Sequence, residues 1–464
     1  MKTSYIRQVY TGAVGDTKNL EIHFAEMAMQ GWMIEKIGAL VHRYRAIEPS
    51  KKRFIVDFLP QITAFDYPEN EDAQDYRRIC EESGWTFVTA NKQLHVFYSD
   101  EGTAEPVPIH TDNKIQAQIH LSMCRKYELF NLISPMFIFG LLVFPNILYS
   151  GMELFLSNIQ TSILFGSTLF LGGYFWHVGF VISWYQQTKK SAKLDLPLPT
   201  INYRLARIRQ RVFSIGALAF VVCLITGVSL DILGGMPIGF LLIVVIPLVG
   251  LGVGFWVKNQ IDTKRRGRKA NIALTIIAIG ITQVIVLSAV MFGILQSIPN
   301  RDMSAGIGNR PALTLYSVGI YQEPEHTSSF IRGSIAVPIH YSHWEMNRQG
   351  DVSTEIYRPI HSLITRGLFN RFTRKAVEGR NLAELRGIDG EIRFLTDEEA
   401  RFWGVDEGVI AVNFDIESPE PILHSGSTIE LILMNGNTIL RLSVFGEGVE
   451  IESIAQAVRS LTSD

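Results

Sequence analysis

Between residues 129 and 295 the chain carries five apolar stretches, at 129–149, 160–185, 212–233, 236–257 and 272–295, each longer than 20 residues and almost free of charge. A helix needs about 20 such residues to cross the hydrocarbon of a bilayer, where its backbone can bond only within the segment. The pattern therefore predicts five transmembrane helices, and an odd number sends the two long polar ends to opposite sides. The average composition conceals this partition: 47% hydrophobic residues and a formal charge of −2 result from mixing two polar ends with a very apolar middle. The expected organisation is a cytoplasmic domain at 1–100, a linker and juxtamembrane segment at 101–128, five helices within 129–297, and an extracytoplasmic domain at 298–464.

Orientation follows from the short connections, since loops rich in Lys and Arg are retained in the cytoplasm. Lys189, Lys190, Lys193, Arg204, Arg207, Arg209 and Arg211 fall between the second and third stretches, and Lys258, Lys264, Arg265, Arg266, Arg268 and Lys269 between the fourth and fifth. The opposite connections carry only Glu153 and Asp231. The N-terminus is expected inside the cell membrane and the C-terminal domain outside. Residues 1–11 have no apolar core of a signal peptide, so the first span is expected to act as the insertion signal. Cysteine occurs at Cys80, Cys124 and Cys223 and nowhere later, so the distal domain must rely on its own core instead of a disulfide.

In the first domain, a helix beginning at Asp16 or Thr17 ends at Gly31, and a second helix at about 69–83 ends at Gly84. Gly31-Trp32 and Gly84-Trp85 occupy equivalent places, each followed by a strand, a turn and a strand. With strands expected at 5–10, 32–47, 53–59, 85–89 and 94–99, the order is β-α-β-β-α-β-β, a duplicated αββ unit close to a ferredoxin-like sandwich. The tryptophans read as core packing. The aromatic and glycine signature of an RNA-recognition motif is missing, and no nucleic-acid partner is expected.

Glu26-Met27-Ala28, Gly31-Trp32-Met33-Ile34-Glu35-Lys36, Ile79-Cys80-Glu81-Glu82-Ser83-Gly84-Trp85 and Pro106-Val107-Pro108-Ile109-His110-Thr111-Asp112 together resemble a bacterial membrane-anchored domain-of-unknown-function family (the DUF-2812 type), over about the first 125 residues. Trp403-Gly404-Val405-Asp406-Glu407 and Gly436-Asn437-Thr438-Ile439-Leu440 are similar, more loosely, to the tail of longer members. The family's genes often neighbour PadR-like transcriptional repressors, which implies a stress or envelope context. The resemblance brings no catalytic residues.

Ionisable groups at bilayer depth are costly and usually functional. Here no Asp, Glu, Lys or Arg interrupts the middle of the five stretches, and the embedded polar residues are His177 and Gln283. A proton or ion path would need several facing carboxylates or histidines, so both read first as groups bonded to a neighbouring helix or facing the headgroups. Gly250 and Gly254 have the small-xxx-small spacing of close helix packing. The basic loops have a second reading beyond retention: Arg204, Arg207, Arg209, Arg211, Lys264, Arg265, Arg266 and Arg268 are candidate contacts for anionic lipid headgroups, the first four on a short interfacial amphipathic helix.

The distal end reads as α+β. Strands are expected at 313–321 and 330–340, and helix at 361–385 broken by Gly367 and Gly379. A hairpin at 428–434 and 438–445 should turn at Asn435-Gly436 in type I′ geometry, a final helix at 450–461 should pack on it, and 297–311 is expected to be a tether. His340, His343 and Glu345 are the metal candidates. On an extended strand the two histidines would face opposite ways, which argues against shared ligation. Thr396-Asp397-Glu398-Glu399 has the pattern of a helix N-cap.

The fold class expected is thus an all-α membrane bundle of five helices flanked by two α+β domains. With no catalytic frame and no cofactor motif, the leading expectation is a non-enzymatic sensory or regulatory protein coupling the two ends. Its expected partners are the bilayer, anionic lipids, a cytoplasmic protein and further copies of itself. The alternatives are an exporter subunit or lipid-handling transporter and, third, an extracytoplasmic metal-dependent enzyme.

Overall fold

The computed structural model describes residues 4–9, 13–38, 41–101, 105–234, 241–297, 312–385, 390–413, 427–446 and 451–462. The tether expected at 297–311, apart from its first residue, and positions 236–240 of the fourth expected span lie outside the described residues. The chain forms two compact units: Met1–Val143, Phe165–Cys223 and Leu242–Met291 in one, Phe144–Leu164, Leu224–Leu241 and Phe292–Asp464 in the other.

The first unit opens with β1 (Tyr5–Val9), α1 (Thr17–Met29), β2 (Trp32–Lys36), β3 (Val41–Ala46), β4 (Lys52–Phe58), α2 (Glu71–Glu82), β5 (Thr86–Asn91) and β6 (Leu94–Asp100). These strands make two antiparallel three-stranded sheets, ordered β1-β3-β2 and β4-β6-β5. The repeat is therefore βαββ: the single strand expected at 32–47 is two strands, and the one expected at 53–59 opens the second copy. The duplication extends to detail. Gly31 and Gly84 end their helices at φ of +86° and +90°, a conformation that favours glycine. A register shift follows each tryptophan at the same distance, between Ile34 and Lys36 and between Phe87 and Thr89. Helix α1 joins the two copies, since Phe24, Met27 and Ala28 share one core with Ile34 and Tyr44 of the first sheet and Phe54, Val56 and Val96 of the second.

Among the described residues, five helices are long and apolar enough to cross a membrane. The first runs over Asn113–Leu156 as α3 (Asn113–Met123), α4 (Phe130–Ile138) and α5 (Phe144–Ser150), with π-helical turns between them and a 3₁₀ end at Gly151–Leu156. Pro135 lies within α4 and Pro145 within α5, and each proline removes a helix donor near a place where the hydrogen-bond pattern widens. The others are α6 (Asn158–Leu194), α7 (Tyr203–Leu233), α8 (Leu242–Thr263) and α9 (Arg268–Ser297). Each of α6 to α9 continues past its apolar stretch into the basic connections. Arg204 to Arg211 are consequently the first turns of α7, in place of the separate interfacial helix expected there.

Glycines bring α6 and α7 together. A Cβ at Gly173 or Gly216 would lie 3.1 Å from backbone of the facing helix, and one at Gly166 would lie 3.1 Å from Phe220 Cα. The small-residue packing assigned to Gly250 and Gly254 is corrected: among the described residues, a Cβ built at either position meets nothing within 4 Å beyond its own stretch of helix, so neither brings a neighbouring helix of the chain close.

The second unit contains a seven-stranded antiparallel sheet in the order β10-β11-β12-β13-β9-β8-β7. Its elements are β7 (His326–Arg332), β8 (Ile339–Asn347), β9 (Gly350–Arg358), α10 (Ser362–Leu385), β10 (Gly390–Phe394), α11 (Asp397–Trp403), β11 (Glu407–Asn413), β12 (Ser427–Asn435), β13 (Thr438–Gly446) and α12 (Ile451–Thr462). Ile454, Ala455 and Val458 of α12 pack with Leu431 and Leu442, while Leu368, Phe369 and Phe372 of α10 pack with Ile432 and Ile439, so both faces of the sheet are covered. Four expectations change here. The strand expected at 330–340 is divided between the end of β7 and the start of β8, with 333–338 outside both. Residues 313–321 form a 3₁₀ turn, Tyr316–Val318, ended by Gly319 at φ +96°, where a strand was expected. Helix α10 is continuous through Gly367, which lies against Met152: a Cβ would come within 2.5 Å of its Cε. The hairpin loop is Gly436-Asn437, with positive φ on Gly436 alone, which lacks the second positive φ of a type I′ turn.

Candidate functional site

The segment Ala13-Val14-Gly15-Asp16-Thr17 passes into the first unit with no room to spare. A Cβ at Gly15 would lie 2.7 Å from Trp184 Cδ2 on α6, so glycine is required for that approach. Asp16, fully buried, accepts from the backbone N–H of Ala13 at 2.7 Å, from Asn19 and Gln210, and from the guanidinium of Arg209, itself 2% exposed. Arg209 stacks over the Phe180 ring at 3.3 Å. Alongside, Glu128 Oε2 accepts from Val14 N–H at 3.0 Å, and His177 Nε2 stands 4.0 Å from Glu128 Oε1. The β1–α1 turn of the N-terminal domain is thus tied to the first, second and third long helices by a buried charge network. Breaking a pair of this kind is costly because one charge remains without compensation in a medium of low dielectric.

Helix α1 extends the junction. His23 bonds Gln8 Oε1 at 2.9 Å and the Tyr203 hydroxyl at 3.1 Å, and burial, reinforced by the Arg207 charge, holds its pKa down to about 4. Tyr203 in turn donates to Glu26 at 2.7 Å. Further along, Arg268 at the start of α9 donates to both oxygens of Asp66, and Asn271 donates to the Phe65 carbonyl at 2.8 Å.

At its other end the same helix pair carries a second anchor, within the second unit. Asp231, near the end of α7, accepts from the backbone N–H groups of Asn158 and Ile159 at 2.9 and 3.0 Å and from the Ser157 hydroxyl at 2.8 Å. These are the orphan donors that open α6, and a carboxylate there also complements the helix dipole. Asn158 then reaches the distal domain: its Oδ1 accepts from Ile335 N–H at 2.8 Å and its Nδ2 donates to the Gly333 carbonyl at 3.3 Å. Lys375 and Arg371 of α10 add ion pairs to Glu153.

The stretch read as a linker is docked. Trp85 Nε1 donates to the Val107 carbonyl at 2.8 Å, Val107 N–H donates to the Ser83 carbonyl, and Pro106 packs on Gly84. His110 Nε2 lies 3.0 Å from Asp57, which also accepts from the Tyr76 hydroxyl. Burial would raise the Asp57 carboxyl, but the bonds from His110 and Tyr76 outweigh it and its pKa falls; the same bond to Asp57 raises His110 against its burial. Residues 16–132 match the model of the family described as "Protein of unknown function (DUF2812)". The match is specific to that stretch, and no curated protein and no solved structure matches the chain. The DUF2812 stretch begins at the buried Asp16 and ends just beyond Glu128. It therefore takes in the docked 105–112 segment and the start of the first long helix as well as the strands.

The residues singled out in the sequence are dispersed. His177 rests on the ring of Phe213, centroids 5.2 Å apart, beside Glu128. Gln283 is exposed and lines a cleft with Gly250 and Gly254. Among the basic residues, Arg204, Arg211, Lys264 and Arg265 are exposed. Arg266 is half-buried, Arg207 lies 3.9 Å from Glu26, and Arg268 holds Asp66. Arg209 is corrected from a headgroup contact to the buried partner of Asp16.

His340 and His343 occupy opposite faces of β8. His340 stacks on Tyr357 at 4.4 Å, and burial with the Arg332 charge lowers its pKa to about 4. His343 bonds Ser329 Oγ at 2.5 Å and Glu345 Oε1 at 3.1 Å, while Glu345 Oε2 accepts from Leu315 N–H at 2.8 Å. That chain of bonds fastens the 312–320 segment to the sheet. Among the described residues no group of three or more His, Cys, Asp or Glu is placed to hold a metal ion.

Sequence reasoning missed Asp16, Glu128, Arg209 as a buried cation, and the Asp231–Asn158 anchor. Asp16 lies 193 residues from Arg209, and nothing local distinguishes it from an ordinary N-cap aspartate.

Proposed function

We propose that the chain is a multi-pass membrane protein whose α6–α7 pair couples a cytoplasmic DUF2812 domain to an extracytoplasmic sheet domain, as a non-enzymatic sensory or regulatory module. One observation carries this reading: the pair has a buried ionic anchor to the N-terminal domain at Asp16–Arg209 and a buried carboxylate anchor, Asp231–Asn158, that bonds the distal domain. The orientation is supported by the basic helix ends, because Arg209 and Arg268 bond the N-terminal domain itself and loops of that charge are retained inside. In fold terms we read the N-terminal domain as a ferredoxin-like variant whose sheet is divided in two. Exposed Arg204, Arg211, Lys264 and Arg265 fit contact with anionic lipid, and a protein partner and self-association complete the reading.

The test uses the full chain in lipid nanodiscs. If the pair transmits a change, Arg209→Ala alters amide hydrogen exchange around Gly333–Ile335 at least several-fold. Unchanged exchange there, with N-terminal protection lost, would reduce the helices to a passive anchor. Labelling of single cysteines placed at Lys264 and Ser150 with an impermeant thiol reagent in whole cells checks the orientation: Ser150 should react and Lys264 should not.

A further inference from the structure

Between α8 and α9 runs a cleft of about 1000 Å³. Its walls are apolar, with Ile246, Val253 and Val257 on one side and Ala278 and Ile279 on the other. Gly250 and Gly254 form its floor and leave space that any side chain would fill. One end is closed by the N-terminal domain: Phe65 packs on Val257, Ile261 and Ala278, and the β5–β6 turn brings Lys92 beside Lys258. Lys258 donates to Asn91 Oδ1 at 3.4 Å, and Asp262 lines the same end.

We propose that this cleft holds one anionic phospholipid, an acyl chain lying along the glycine floor and the headgroup phosphate between Lys92 and Lys258. The inference rests on the membrane reading above. Charge complementarity selects the occupant. Two lysines and one aspartate leave a net charge of +1 at the closed end, which a single phosphodiester neutralises, whereas a second copy of the chain would bring another positive end. Among the described residues neither ammonium makes an ion pair. Burial and the neighbouring Lys258 charge hold Lys92 below its ordinary pKa, so an anion supplied there relieves a strained cation. Lys92 is held in place by a left-handed backbone, φ +56°, at the tip of its turn. Basic pockets between helices on the cytoplasmic side are suited to such headgroups.

Native mass spectrometry of the detergent-purified full chain, incubated with phosphatidylglycerol or phosphatidylcholine of matched acyl chains, tests this. Wild type should retain one phosphatidylglycerol in preference to phosphatidylcholine. Lys92→Ala combined with Lys258→Ala should lower that preference roughly 30-fold, the factor two basic residues beside a membrane supply. Gly254→Leu, which fills the floor and favours helix, should expel both lipids while leaving the charges intact. Equal retention by the double variant, no headgroup preference in wild type, or a lipid-free dimer that Gly254→Leu dissociates would each overturn the assignment. The membrane reading is judged separately, by whether the chain stays in the membrane pellet after alkaline carbonate extraction.

Discussion

Replacing either member of the Asp16–Arg209 pair should destabilise the N-terminal domain more than any single surface change. Both side chains are essentially removed from solvent, and losing one partner of a buried pair costs about 3–5 kcal/mol because the other charge is stranded. The two singles should differ. Arg209→Met leaves Asp16 with the Ala13 amide, Asn19 and Gln210 as donors, which places it near 3 kcal/mol, the lower end of that range. Asp16→Ala removes the carboxylate that the Arg209 guanidinium bonds and also releases the Ala13 N–H, and belongs near 5 kcal/mol, the upper end. The double variant should recover about 1–3 kcal/mol relative to the sum, as residues in direct contact do. The assay is proteolysis-detected opening of the 13–46 region in detergent or nanodiscs, calibrated by thermal unfolding. Singles within about 0.5 kcal/mol of wild type, the range of ordinary surface substitutions, or a double variant equal to the sum would refute the buried pairing.

The Asp57–His110 latch should respond to pH in both directions. The raised His110 pKa makes its contribution complete below about 6.5 and lost as pH rises through the folded value; the lowered Asp57 pKa makes its contribution present above about 3.8 and lost as pH falls through its folded value. Trp85 fluorescence during unfolding should show the upper limb vanish in His110→Gln. In the distal domain, His340 is depressed to about 4, so acidification from 6.5 to 4 should remove roughly 3 kcal/mol as the unfolded chain alone takes up the proton. His340→Phe, which keeps an aromatic ring on Tyr357, should flatten that acid limb in a denaturation series. Glycines separate by contact: Gly173→Leu should cost at least about 1–3 kcal/mol through overpacking, whereas Gly250→Ala should be neutral or stabilising by about 0.5–1 kcal/mol, read as thermal unfolding in detergent.

Features that depend on a short window were legible. Each apolar stretch declares a helix by its own length, the capping box of Thr396 and Glu399 forms as its spacing predicts, and the Gly-Trp pairs marked the duplication. Features set by distant neighbours were not. Leu313, Leu315 and Val318 are buried as strand residues would be, yet Thr354 and Glu345 take the Leu313 and Leu315 amides and bend the segment into a turn. Gly367 reads as a helix breaker until Met152 is seen against it. Strand β8 mixes polar and apolar residues on both faces, with His343 and Glu345 buried on the same side as Tyr341, and β9 buries Thr354 between Val352 and Ile356, which weakens the two-residue period. The buried charge network is the extreme case, because an aspartate and an arginine far apart in the chain carry no mutual signature.

The docked Pro106–Asp112 segment gives the N-terminal domain a mechanical character. It is fastened at Trp85 and at Asp57 just before α3 begins, so the chain enters its first long helix without slack. A hinge would let the domain swing while the helix stayed still. A segment clamped at both ends instead turns any tilt of the domain into torque on the helix. Severing either clamp would turn a lever into a leash.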